Sequence, residues 1–249
     1  MAIPENNPDP WQGIYKLGGL AATGAVLVGA LEILITFLPG GNTVQESALD
    51  WFLLFEQNWF MGLRDLGLLN IFFNAAAVLT SFAIYGAHRG SRGQPYAALI
   101  LIFSLLGVAV FLATNRAFAM LDLSQQYAAA DSSQRELLAS AAQSLLSAGQ
   151  SHTPGTFLGF FLSELAGFFF SLLMLKSRVF SKATAVAGMA GFGMLIIFEF
   201  FASFATGLNL PAMLLAMIGG LLSMAWDILV ARRLFQLSRD PAGSPETEQ

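Results

Sequence analysis

"FFLSELAGFFFSLLML", residues 160–175, is a run of Phe, Leu, Gly and Met in which Glu164 is the one charged residue. An α-helix rises 1.5 Å per residue, so about 20 apolar residues cross the ~30 Å hydrocarbon core of a bilayer. Taken from residue 156, this stretch has that length. A surface helix of a soluble domain would show one apolar stripe and an opposing polar face. Here the apolar residues go all round, so the stretch reads as a membrane span, and the glutamate inside it sets the functional question.

Working outward, five further runs have the same character, near 17–38, 66–86, 97–120, 184–207 and 211–235. The whole chain agrees with them. It is 55% hydrophobic and only 11% charged, with a mean hydropathy of +0.63, a balance that a soluble domain of 249 residues has no core large enough to hide. The fold class expected is therefore all-α: a polytopic membrane helix bundle with six transmembrane helices plus short amphipathic or interfacial helices on its outer face.

Two intervening segments supply those short helices. "DWFLLFEQNWF" (50–60) is too short and too polar to cross, and its Trp51 and Trp59 suit the headgroup level. "DSSQRELLASAAQSLLSAG" (131–149) opens with a capping-box-like Asp131 and Gln134. It carries Leu137, Leu138, Ala141, Leu145 and Leu146 down one face and closes at Gly149. Residues 1–15 are polar, Pro-rich and acidic, unlike a basic secretory leader, and read as a retained cytoplasmic N-terminus. The membrane domain then runs over 16–238, and 239–249 reads as a disordered cytoplasmic tail.

Orientation follows from the basic residues. Lys16, Arg89, Arg92, Lys176, Arg178, Lys182, Arg232, Arg233 and Arg239, nine of the 12 Lys and Arg, fall on one side if the N-terminus is inside. The positive-inside rule then makes both termini cytoplasmic.

Several function classes drop out. The net charge of −4 and pI of 5.1 leave no basic stripe to follow a phosphate backbone, so nucleic acid is not an expected partner. With no Cys there are no thiolate nucleophiles, disulfides or Cys-held clusters. His88 and His152 are far apart, and no span carries the Glu-x-x-His of carboxylate-bridged metal bundles. No metal or cofactor is expected. A carboxylate acid/base pair is conceivable, but no nucleophile stands out beyond ordinary serines such as Ser163 and Ser203, so no catalytic residue is assigned. Gly188, Gly191, Gly193, Gly219 and Gly220 suit close helix packing, since no strand or phosphate-loop pattern surrounds them.

The polar residues within the spans carry the functional reading. Glu32 and Glu199 lie ~24 Å above the cytoplasmic starts of their spans, and Glu164 ~12 Å below the outer start of its own. Asn70 and Asn74, one helical turn apart, fall in the same layer. Arg64 and Asp65 precede the second span, while Asn115 and Arg116 close the third. A charge in mid-membrane costs several kcal/mol unless paired, hydrated or neutralised. Convergence is therefore expected, with Glu32, Glu164 and Glu199 facing Arg64 and Arg116, and Asn70, Asn74 and Asn115 completing the hydrogen bonds.

Two readings of that cluster stay open. One is a solvent-connected cavity below the outer surface, binding a headgroup, a small solute or protons. The other is an ion-paired clamp that fixes helix register. Asp227, near the cytoplasmic end, is expected to pair with Arg232 and Arg233 or to reach water. For His152 a solvated loop position is the plainer reading, beside that of a pH-responsive lid.

At "NRAFAMLDLSQQYAAADSSQRELL" (115–138), "MLKSRVFSKATAVAGMAG" (174–191) and "ILVARRLFQL" (228–237) the sequence resembles bacterial membrane proteins grouped as domain of unknown function family 4386. The likeness covers roughly residues 13–238 in span count and order. It implies a six-span protein of the bacterial inner membrane, and brings no reaction, cofactor or binding residues. The expected partners are membrane lipids together with a small polar or lipid-derived ligand. The alternative is an accessory or scaffold subunit with a membrane-protein partner or a second copy of itself.

Overall fold

In the computed structural model the described residues are 9–38, 45–205 and 207–239, and they form helices with no strand among them. In chain order these are α1 (Trp11–Thr36), α2 (Ala48–Gln57), α3 (Trp59–Asp65), α4 (Leu68–Ala87), α5 (Gln94–Thr114), α6 (Ala117–Ala129), α7 (Ser132–Gly149), α8 (Phe157–Ser177), α9 (Lys182–Phe204) and α10 (Asn209–Leu237). Six are long and apolar enough to span a membrane: α1, α4, α5, α8, α9 and α10. Large apolar side chains such as Leu27, Phe72, Leu106, Ile197 and Met217 point outward on these helices, as a bilayer requires.

The six spans close into a ring. Each packs on the next in the chain, α1 on α4, α4 on α5, α5 on α8, α8 on α9 and α9 on α10, and α10 returns to α1. Apolar surface gains nothing by leaving lipid, so such seams rely on close backbone approach at small residues. A Cβ on Gly107 of α5 would stand 2.8 Å from the Ser163 backbone nitrogen of α8. One on Gly191 of α9 would stand 3.1 Å from the Gly219 carbonyl oxygen of α10.

One end of the ring is filled. Ala83, Ile84, Ile100, Phe170, Met174, Phe180, Trp226, Val230 and Leu234 make a continuous core there. His88, just past α4, is fully buried in the same end. Its Nδ1 lies 2.8 Å from the Ile84 carbonyl oxygen and its Nε2 2.9 Å from the Ser177 hydroxyl, and it stacks on Phe180. The start of α1 and the end of α10 also meet at this end, where Gly19 lies against the Phe235 ring.

The other end carries a cap. α2, α3, α6 and α7 share a second core of Trp51, Phe52, Phe55, Leu63, Leu66, Ala117, Met120, Ala142 and Leu146. α2 opens with a reciprocal capping box between Ser47 and Asp50, and at the N-terminus of α7 the Asp131 carboxylate accepts from the Ser133 and Gln134 backbone N–H groups. These hydrogen bonds hold the Asp50 and Asp131 carboxyls below their usual range.

The cap differs from the expectation of separate interfacial helices. Trp51 is buried in the shared core instead of sitting at a headgroup level, while Trp59 is exposed. Ala142 and Leu146 of α7 turn inward, but Leu137 and Ala141 do not. The third span also ends earlier than expected, at Thr114 instead of near 120. Asn115 is extended (φ −61°, ψ 129°), its Oδ1 accepts from the Ala117 N–H and its Nδ2 donates to the Leu66 carbonyl, so the chain leaves α5 and restarts as α6.

The first span begins earlier than expected, at Trp11, inside the stretch read as a polar N-terminus. Asp9 accepts from the Trp11 N–H, and the Trp11 ring packs on Phe82 beneath the Arg89 guanidinium. Residues 1–8 of that stretch, and 240–249 of the expected tail, lie outside the described residues.

Candidate functional site

The polar residues gather at the capped end, but in two places instead of one. On the α1–α4 side, Arg64 at the end of α3 is 7% exposed and reaches Glu32, Asp65 and Thr36. Its guanidinium lies 2.7 Å from a Glu32 carboxylate oxygen of α1 and 2.8 Å from Asp65 Oδ1, and it donates to the Thr36 hydroxyl. Thr36 in turn donates to the Glu32 backbone carbonyl. Burial pushes the Asp65 carboxyl up, while the Arg64 guanidinium beside it pulls it down. One guanidinium thus serves two carboxylates and a hydroxyl, using the fork of N–H groups that only arginine has.

Gly67 links this cluster to α4 in a left-handed conformation, φ +92°. A Cβ built there would stand 3.2 Å from Asn115 Nδ2, 3.5 Å from the Ser151 hydroxyl and 3.6 Å from Asn70 Nδ2. The absent side chain therefore leaves room in which three polar groups from separate elements approach one another. Asn74, one turn further along α4, donates back to the Asn70 carbonyl.

On the α8–α9 side, Glu199 of α9 is fully buried. One of its carboxylate oxygens is 2.5 Å from His152 Nδ1, in the loop before α8. His152 is held with φ +57°, stacks on Phe160 at 4.6 Å and meets the edge of Phe198 at 4.9 Å. Its side chain is 38% exposed, so the imidazole joins solvent to a carboxylate that has no exposure of its own.

Glu164 of α8 lies within electrostatic reach of Glu199. It is one turn along α8 from Phe160, hence ~6 Å deeper than the layer in which Phe160 stacks on His152. Among the described residues, Oε2 of Glu164, Oε2 of Glu199 and the hydroxyl of Ser203 are buried with no hydrogen-bond partner. Ser203 is one turn from Glu199 on the same face of α9. Buried acceptors are normally satisfied, and each one left without a partner costs about 1–3 kcal/mol.

The five-helix convergence expected from the sequence therefore divides. Glu32 and Arg64 meet, and Glu164 and Glu199 meet, but at seams on opposite arcs of the ring. Asn70 and Asn115 approach each other around Gly67, and because Ser151 and His152 are consecutive, one loop touches both arcs. Arg116 pairs with none of Glu32, Glu164 or Glu199 among the described residues. The break at Asn115 turns it back on α5, where it donates to the Ala113 and Asn115 carbonyls and packs against Gly149. Asp227 makes no ion pair with Arg232 or Arg233 among the described residues, since Arg233 donates to the Val179 carbonyl and Gln236 instead.

Three participants had no sequence signal strong enough to place them: Thr36, Ser151 and, above all, His152. The usable hint for the last was "SHTPG" (151–155), a histidine beside a Pro-Gly turn at the mouth of the span that carries Glu164. The described residues contain no metal-ligating group of three or more His, Asp and Glu. What the α8–α9 arrangement offers is acceptor oxygens on two buried carboxyl groups and a hydroxyl.

Comparison of the chain with protein-family models, curated proteins and solved structures yields no match.

Proposed function

We propose that this multi-pass membrane protein binds a small polar or lipid-derived ligand at its capped end, between α8 and α9, and passes it into or across the bilayer. The observation that carries this reading is the set of unpartnered buried acceptors, Glu164 Oε2, Glu199 Oε2 and Ser203 Oγ, beneath a half-exposed histidine. An architectural cluster is expected to offset its buried charge with an opposite one and to close most of its hydrogen bonds. The Arg64 cluster differs in holding a guanidinium between its carboxylates, although Glu32 Oε2 is also buried without a hydrogen-bond partner, and it is assigned the role of a clamp on α1 and α3. The concentration of Lys and Arg at the uncapped end supports a cytoplasmic location for both termini and an outward-facing cap, in a bacterial inner membrane. Kinship with family 4386 is likewise proposed, on the loop and boundary motifs alone.

The test is native mass spectrometry of the purified full chain beside Glu164→Gln and Ser203→Ala. A small molecule or lipid retained by wild type and lost by folded variants supports the site. An empty wild type, with variants that only lose stability, favours the alternative of a non-catalytic scaffold subunit, for which the ion-paired Arg64 clamp is the precedent within the same molecule.

A further inference from the structure

We infer that Glu164, Glu199 and Ser203 form the recognition site for a ligand bearing an ammonium group, admitted from the capped end past His152. The inference deepens the proposed binding function and rests on it. Charge argues first. Arg64 is engaged by Glu32 and Asp65, and Arg116 by backbone carbonyls, so among the described residues His152 is the basic side chain set against the α8–α9 acids. An anionic headgroup placed there would meet two carboxylates with no guanidinium to offset them. A neutral polyol would supply hydrogen bonds but no opposite charge to pair with either acid, which an ammonium does.

Valence argues second. An ammonium carries three N–H donors and no acceptor, and on Glu164, Glu199 and Ser203 the unpartnered atoms are three oxygens. The Ser203 hydroxyl is an observation separate from the acids: it is 7% exposed, without a partner among the described residues, and on the Glu199 face of α9. No hydrogen bond joins the two carboxylates to each other, as a pair sharing a proton would show. Phe160 and Phe198, which hold His152, add aromatic surface at the mouth, favourable to a passing cation.

The ammonium has two sources, a free amine or the headgroup of phosphatidylethanolamine, and one experiment separates them. Full-length protein in phosphatidylglycerol nanodiscs is titrated by calorimetry with ethanolammonium chloride, with ethylene glycol as the neutral isostere and potassium chloride as the ionic-strength control. The expected result is saturable binding of ethanolammonium, with ethylene glycol and the Glu164→Gln variant each weaker by about tenfold or more, the worth of a charge-assisted hydrogen bond. Ser203→Ala, which keeps every charge, weakens binding severalfold with the fold retained, and carries the test should Glu164→Gln not fold. Repetition in phosphatidylethanolamine nanodiscs assigns the source: weaker apparent binding identifies the lipid headgroup as the occupant, and unchanged binding identifies the free amine. Equal binding of ethanolammonium and ethylene glycol, both lost in Glu164→Gln, overturns the ammonium and leaves the binding site standing. Absence of saturable binding by any probe, with an empty native spectrum, overturns both.

Discussion

His152 Nδ1 sits 2.5 Å from Glu199 Oε1, so a residue in the loop between cap and bundle completes the hydrogen bonding of a carboxylate on a span 47 residues away. The contact ties the loop before α8 to α9, and among the described residues it is the side-chain hydrogen bond by which Glu199 meets another residue.

His152→Ala leaves that oxygen of Glu199 buried without a partner. The expected outcome is a loss of about 1–3 kcal/mol of stability, the usual cost of an orphaned buried acceptor, read as a lower melting temperature in detergent. His152→Gln, which keeps an N–H donor, recovers part of it. Equal melting of all three proteins would show that the contact does not form.

Arg64→Ala strips the cation from Glu32 and Asp65 and is expected to cost roughly 3–5 kcal/mol, because uncompensated charge remains where the pair was. Arg64→Lys restores little, since one ammonium cannot reproduce a fork that reaches Glu32, Asp65 and Thr36. The double variant Arg64→Met with Glu32→Met regains much of the loss, because burial already favours the neutral form of the remaining Asp65. Urea titration of the four proteins checks the order.

His88 gives the pH dependence of the uncapped end. Burial lowers its pKa from the ordinary 6.5, partly opposed by its hydrogen bond to Ile84, so the folded protein holds it neutral. Below 6.5 the unfolded chain takes up a proton there that the folded chain does not. Its contribution to stability is therefore present above that pH, falls as pH drops below it, and levels off once the folded pKa is passed. A melting series from neutral to mildly acidic pH should slope downward in wild type, and the His88 part of that slope should vanish in His88→Gln.

Gly67→Ala tests the joint between clamp and span. With φ at +92° the alanine pays about 1–2 kcal/mol for its left-handed backbone, and its Cβ crowds Asn115 Nδ2. Loss of stability combined with faster amide exchange at the Asn115 break is expected. An unchanged melting curve would remove Gly67 from the account.

The spans were readable because apolar runs of bilayer length have few other interpretations, and the helix caps at Ser47 and Asp131 because their signatures are local. The end of the third span was not. "AFAMLDL" (117–123) continues the apolar composition across Asn115, whose side chain stops the helix only by reaching Leu66, far off in sequence. The burial of Trp51 depended likewise on α6 and α7 arriving beside it. For the polar residues, counting along each helix said nothing of azimuth. Glu32 and Glu164 are expected in one layer, yet the order of helices round the ring sets them apart, and Arg116 is turned away by a backbone break that its own span conceals.

The closure of that ring through α1 and α10 also carries a schedule. Five of its seams join spans that follow one another during synthesis, whereas the sixth joins the first span to the last. The surface around Gly18 and Gly19 that receives Leu234 and Phe235 stays open until α10 has been made. The nascent bundle is thus an open arc with a vacant flank, and any membrane factor that shields the flank during biogenesis must leave before the final span can dock.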